Sequence, residues 1–192
     1  MKINYPNPSI KQKPTKNIFN SHGMYFENAL NISNEYYRNL NKAIIYKKPT
    51  PIQIVKVDYP QRSKARIVEA YYQTPSTTDY NGIYRGKYID YEAKETNNLS
   101  FNFKHISEHQ MKHLHKIDEQ GGIAFIIIFF KKINKVFIID IKPFLKIFKD
   151  GIKSIKVSEF EEIGQEVKLG YSPPIDYLTA VDKLYFKTTL DN

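Results

Sequence analysis

The stretch TTDYNGIYRGKYIDYEAK, residues 77–94, decides how this chain folds. Arg85-Gly86 is a turn signal between two apolar-polar alternating runs, DYNGIY and KYIDYEAKE, which predicts a β-hairpin. In an extended strand side chains alternate between faces, so Glu92 and Lys94 point the same way and Ala93 points opposite. Asp79 falls on the partner strand or just before it. If pairing brings it beside Glu92, two carboxylates and an ammonium converge. Two carboxylates at one spot repel and lose hydration unless a cation joins them. Magnesium fits, being a hard cation that takes carboxylate oxygens, keeps several waters and bridges to phosphate. A lysine beside it would stabilise charge on a phosphorane-like transition state. Taken alone, an acid, a dozen residues and Glu-x-Lys is a weak pattern that arises often by chance in a chain that is 26% charged, usually as a solvated strand face.

The surroundings add a polyanion. There are 29 Lys and Arg against 20 Asp and Glu in 192 residues, a net charge of +9, which favours nucleic acid or another polyanionic surface. PTPIQIVKVDYPQRSKARIVEAYY, just before the opening stretch, reads as a long hairpin about residues 49–69 turning at Tyr59-Pro60-Gln61-Arg62-Ser63. Between 38 and 66 stand Arg38, Lys42, Lys47, Lys48, Lys56, Arg62, Lys64 and Arg66 against one acid, Asp58. A projecting cationic finger of this kind suits a phosphate backbone, with Lys56, Arg62, Lys64 and Arg66 as its DNA-binding candidates. Lysines that guard an edge hairpin against aggregation are the alternative. Residues 1–20, with Pro6, Pro8, Pro14 and four lysines, read as a flexible basic N-terminal arm before one domain over 21–192.

Further along, 21–40 carries an approximate helical stripe that fits one helix, or two divided near Ile32-Ser33-Asn34. AIIYKK reads as a strand, and a polar helix is predicted over about His105 to Gln120, stopping at Gly121-Gly122. IAFIIIFF and VFIIDI are strands, and helices are expected near 143–149, 158–167 and 175–186. The order predicts an α/β or α+β fold, helices on a mixed sheet. No cysteine is present, so disulfides and thiolate zinc sites are excluded. The apolar run Ile123–Phe130 is too short to span a bilayer and the start carries no apolar signal segment, so the expectation is a cytoplasmic protein without a membrane partner.

His105-Ile-Ser-Glu108-His109 matches H-x-x-E-H, and His109 with His113 has the i,i+4 spacing of a helical zinc pair. Zinc would need these on a buried helix with a third ligand, whereas SEHQMKHLHKIDEQ is polar around most of its circumference.

HGMYFE (22–27), KKPTPIQIVKVDYPQRS (47–63), EAYYQTPSTTDYNGIYRGKYIDYEAKET (69–96), HQMKH (109–113) and PPIDYL (173–178) together resemble the RecU family of Holliday junction resolvases. The resemblance runs from about Ser21 to Phe186. It implies a restriction-endonuclease-like core and a magnesium-dependent endonuclease, manganese being able to substitute. The enzyme would be a homodimer cutting four-way DNA junctions in recombination and repair, with recombinase or branch-migration proteins as partners. Residue by residue it implies Thr77, Asp79, Glu92 and Gln110 at the magnesium, Lys94 at the transition state and Arg62 as a stalk arginine that engages the junction. The linker from Glu92 to Gln110 is about one residue shorter than the family pattern. Glu27, on the first helix, is a secondary metal-site candidate. The alternative of another class is a noncatalytic junction-binding protein that recruits or modulates a recombinase.

Overall fold

The computed structural model of the chain describes residues 26–73 and 77–186. The Arg85-Gly86 turn forms as the sequence predicts, with φ of +48° and +75°. Two left-handed residues in succession match the twist of an antiparallel pair, and glycine takes the second of them without a Cβ penalty. The turn joins β4 (Tyr80–Tyr84) to β5 (Lys87–Thr96), in register Tyr80 to Tyr91 and Tyr84 to Lys87.

β5 organises the sheet. On one side lies β4, followed by the edge strand β1 (Ala43–Lys47). Gly82 permits that pairing, because a Cβ there would lie 2.0 Å from the Ile44 carbonyl oxygen. On the other side β7 (Ile123–Phe130) runs parallel to β5, every residue of it buried. Antiparallel neighbours follow outward: β8 (Lys135–Asp140), β10 (Gln165–Leu169) and the short β11 (Ile175–Asp176). A strand buried on both faces reads as a continuous apolar run, which is why IAFIIIFF does not alternate.

Helices cover both faces. α1 (Phe26–Asn39) and α5 (Tyr177–Tyr185) bury Leu30, Tyr37, Leu178 and Val181 against Tyr91, Phe125 and Ile127. α2 (Glu108–Glu119), α3 (Ile141–Lys149) and α4 (Val157–Ile163) bury Met111, Leu114, Phe144 and Phe160 against Ile126, Ile128 and Phe137. β6 (Ser100–Asn102) and β9 (Ser154–Lys156) pair beside this second layer. The result is the mixed α+β sandwich expected from the sequence.

Outside the sandwich, β2 (Ile52–Asp58) and β3 (Arg66–Tyr72) pair only with each other. This ribbon is exposed along nearly its whole length, Ile54, Val55, Tyr59, Val68 and Tyr72 included. Its second strand runs three residues past the expected limit at 69. The arm expected over 1–20 lies outside the described residues.

Of the one or two helices that fit 21–40, a single one forms: α1 is continuous through Ser33 and Asn34, where the Ser33 hydroxyl donates to the Ala29 carbonyl at 2.9 Å and the Asn34 amide donates to the Tyr91 hydroxyl at 3.1 Å. Two local expectations are corrected. The helix predicted over 158–167 stops at Ile163, and Gln165–Val167 instead pair antiparallel with Val136–Ile138. The helix predicted over 175–186 begins at Tyr177, since Ile175 and Asp176 pair with β10.

Candidate active site

Alternation along β5 puts Ile89, Tyr91 and Ala93 toward α1 and puts Asp90, Glu92 and Lys94 toward α2. α2 runs antiparallel to β5, so its first turn lies over Glu92 and its second over Asp90. Ser107 caps the helix with a full capping box: its side chain accepts from the Gln110 backbone N–H, and Gln110 Oε1 accepts from the Ser107 N–H at 3.0 Å. That box orients the Gln110 side chain, whose Nε2 donates to Glu92 Oε1 at 2.7 Å. Lys94 Nζ donates to the same oxygen at 2.6 Å.

Glu92 is 0% exposed. Its other oxygen, Oε2, is buried without a hydrogen-bond partner among the described residues. Burial and the neighbouring Asp79 charge push the Glu92 carboxyl up to about 7, against the pull of Lys94 and Gln110. A carboxylate held in this state, short of one partner, suits a hard cation.

Asp79 stands just before β4. Its Oδ2 accepts from the Ala93 backbone N–H at 3.0 Å, and its carbonyl accepts from the Lys48 N–H at 2.8 Å. The next residue is pinned as well: the Tyr80 ring stacks on Tyr91 at 4.8 Å between centroids, and its hydroxyl donates to Asn31 at 3.1 Å. Asp79 and Lys94 both line a cleft of about 460 Å³ whose other wall is the first two turns of α1, with Glu27 and Asn31. Glu27 is exposed there and pairs with Lys47 Nζ at 2.5 Å. Thr77 is exposed and accepts from Lys48 Nζ at 3.2 Å.

The sequence-predicted residues therefore divide. Glu92, Lys94 and Gln110 touch, Asp79 faces them closely enough to perturb Glu92, Glu27 lines the cleft with Asp79 and Lys94, and Thr77 is exposed two residues before Asp79, bonded to Lys48. Gln110 presents its amide N–H₂ to the site, while its carbonyl is held by the cap. Among the described residues there is no cluster of three or more His, Cys, Asp or Glu side chains able to hold a metal. The donor set is two carboxylates with an amide and a hydroxyl, which fits magnesium better than zinc, because magnesium keeps several of its waters and uses few protein ligands. The zinc reading also fails on geometry: His105 belongs to a separate 3-10 turn, Phe103–His105, and His113 Nε2 lies 3.1 Å from Asp90.

Sequence reasoning missed the groups around Asp90. Asp90 Oδ2 accepts from Lys48 Nζ at 2.8 Å and from the Tyr88 hydroxyl at 3.1 Å, and Oδ1 accepts from the Thr78 hydroxyl. The spacing held a signal: Gln110 and His113 are one helical turn apart, as Glu92 and Asp90 are one strand repeat apart.

On the ribbon, Arg62 and Lys64 form the 3-10 turn at the tip, Arg62–Lys64, and both are exposed, as is Lys56. Arg66 is paired with Asp58 at 3.0 Å, so its charge is partly compensated.

A mixed sheet between two layers of helices, with a hairpin at its centre, fits the restriction-endonuclease-like fold class. Within that class the chain belongs to the RecU family: the family model described as Recombination protein U matches residues 21–183. A protein of Geobacillus sp. (strain WCH70) named Holliday junction resolvase RecU is 48% identical over 94% of this chain and 91% of its own length. Proteins of the same name from Pediococcus pentosaceus (48%, 96% of this chain and 98% of the relative) and Staphylococcus carnosus (45%, 98% and 99%) are similar over as much.

Proposed function

We propose that this chain is a Holliday junction resolvase, a magnesium-dependent endonuclease that hydrolyses phosphodiester bonds in four-way DNA. The observation that carries the reading is Glu92, buried between Lys94 and Gln110 with one oxygen unpartnered and with Asp79 beside it. Asp79 and Glu92 would hold the cation, with Thr77 two residues before Asp79 and Gln110 joining once its amide turns its carbonyl away from the Ser107 cap. Bound there, a divalent cation supplies Lewis acidity and makes water a competent nucleophile near neutral pH. Lys94 Nζ, tethered to Glu92 yet partly exposed toward the cleft, places positive charge where the scissile phosphate gains negative charge. Glu27, which lines the cleft and pairs with Lys47 outside it, is the secondary candidate for the cation.

The ribbon bears exposed cations at its tip and stands clear of the sandwich, a geometry suited to entering the open centre of a junction while the cleft at its root receives a strand. Four-way DNA presents two equivalent strands to be cut, and a homodimer supplies two sites related by symmetry. Among the described residues β1 is the edge of the sheet, and Ile44 and Tyr46 of β1 with Ile83 of β4 are exposed beside it, which supports a second copy as partner. No helix among the described residues is long and apolar enough to cross a membrane, and a cytoplasmic location accords with DNA as substrate. A strand-exchange recombinase or branch-migration protein would be the protein partner, with Arg62 at the contact.

The test is cleavage of a synthetic four-way junction and a linear duplex of matched sequence, with and without magnesium, by the parent and by Asp79→Asn. Symmetric nicks in the junction alone, dependent on magnesium and absent from an Asp79→Asn variant that still binds, are expected. Binding without any scission by the parent would favour the noncatalytic alternative and overturn the enzymatic one.

A further inference from the structure

The ribbon joins the sandwich at the site itself. Its first strand is reached from β1 through residues 48–51, and after its second strand the Gln73 N–H donates to the Pro51 carbonyl at 3.1 Å, closing the root. Lys48 stands where that root meets the loop carrying Thr77 and Asp79. Its backbone N–H donates to the Asp79 carbonyl at 2.8 Å. Its Nζ donates to Asp90 Oδ2 at 2.8 Å, to Thr77 Oγ1 at 3.2 Å and to Thr78 Oγ1. The side chain is 14% exposed.

An ammonium has three donors and no acceptor, and here three oxygens take them. Lys48 is therefore committed to three protein groups and largely buried, whereas the neighbouring Lys47 is 43% exposed and pairs with Glu27 alone among the described acids. Lysine is seldom buried unless it is paired, and its partner Asp90 is held on the same Oδ2 by Tyr88 and by His113 of α2, and on Oδ1 by Thr78. One side chain thus connects the ribbon's root, the loop bearing Thr77 and Asp79, the central strand β5 and, through Asp90, the helix bearing Gln110.

We infer that Lys48 is a positioning residue for strand cleavage, locking the Thr77–Asp79 loop and the root of the ribbon to β5 so that DNA held by the ribbon meets a correctly spaced Asp79 and Glu92. The inference rests on Asp79 and Glu92 being the cleavage site. A displacement of about 1 Å in such a constellation costs about 100-fold in rate, so the effect falls on the cutting step and spares binding.

Lys48→Met alone leaves Asp90 buried with an unmatched charge, so the decisive variant is Lys48→Met with Asp90→Asn, neutral at both positions. Single-turnover cleavage of a four-way junction at saturating protein and magnesium should be about 100-fold slower than the parent. The junction dissociation constant should be unchanged, and assays are run well below the melting temperature of each variant. A second variant, Lys48→Arg, keeps a cation against Asp90, but a planar fork does not reproduce the three directions of the ammonium. It should also cut more slowly at unchanged affinity. A saturated rate within about threefold of the parent in either folded variant overturns the inference, as does a loss confined to weaker junction binding. Asp79→Asn separates the two levels. If it is inactive while the Lys48 variants cut normally, only the role of Lys48 falls. If it too cuts normally, the site itself has been misassigned and this inference falls with it.

Discussion

Replacing Glu92 by glutamine should abolish cleavage and, in metal-free protein at pH 8, raise stability. The carboxyl is wholly buried, and its proton is held up to about 7 instead of 4.5. Because the folded state binds this proton more tightly than the unfolded one, its contribution is fully present below pH 4.5 and is lost as the pH rises through about 7. At about 1.36 kcal/mol per unit, forcing ionisation costs the folded parent about 3 kcal/mol above that window. Glutamine carries no proton to lose, and its carbonyl oxygen can accept from Lys94 and Gln110 as Oε1 does. Its N–H₂ inherits the place of the unpartnered Oε2, at a cost of about 1 kcal/mol. The net gain at pH 8 is then about 2 kcal/mol, or about 4–8 °C in melting temperature for a chain of this length. Urea unfolding in excess chelator at pH 5, 6.5 and 8 measures it: the two proteins should be close at pH 5 and diverge as the pH rises. Added magnesium should close the gap from the parent's side, by binding its folded form and not the variant's. A glutamine variant that is less stable at pH 8, or whose difference from the parent does not change with pH, would refute the account of Glu92 as a strained carboxylate awaiting a cation.

Replacing Ile52–Arg66 of the ribbon by a short glycine-containing turn should leave the sandwich folded, since the ribbon packs only on itself. Junction binding should weaken and lose part of its salt dependence, because the exposed Lys56, Arg62 and Lys64 no longer displace counterions; undiminished junction cleavage would sink its role. Ser107→Ala removes the cap of α2 and should cost about 1 kcal/mol in a urea melt. Because it also removes the Ser107 hydroxyl, one of the two donors to Gln110 Oε1, and leaves only the residue's backbone N–H there, magnesium binding measured by calorimetry should hold or tighten, and a tenfold weakening would show that the cap and the metal site cooperate instead of competing.

How far the sequence could be read depended on whether a residue's partners lay nearby in the chain. The alternation of β5 and the Arg85-Gly86 turn are local, so the facing of Glu92 and Lys94 and the hairpin itself were legible. The partners of Ser33 and Asn34 include Tyr91 and the Ile175 N–H, far along the chain; a segment that looked like a helix break is a polar seam between α1 and the sheet. QEVKL buries only Val167 and is a strand because β8 offers it a ladder. The polar look of α2 misled for a related reason. Met111 and Leu114 suffice to seat it, and its half-buried polar residues, Gln110 and His113, face Glu92 and Asp90. Lys48 was one lysine in a basic run, since nothing adjacent reveals that its acceptors are Thr77, Thr78 and Asp90.

Asp90 and Glu92 show why burial alone does not mark a metal ligand. They sit two residues apart on one face of one strand, both 0% exposed, both under α2. Asp90 has Thr78 on one oxygen and Lys48, Tyr88 and His113 on the other, so its charge is matched and its acceptors are filled. Such a group gains little from a cation and would have to surrender bonds to take one. Glu92 shares a single oxygen between Lys94 and Gln110 and leaves the second unpartnered, with another acid beside it. A buried polar group left in that state costs stability in the protein alone, and the cost is recovered only when something positive enters. The difference between the two carboxylates is thus one of partners: Asp90 has its acceptors filled, whereas Glu92 leaves one oxygen unpartnered among the described residues, which supports the cation-binding role proposed for it.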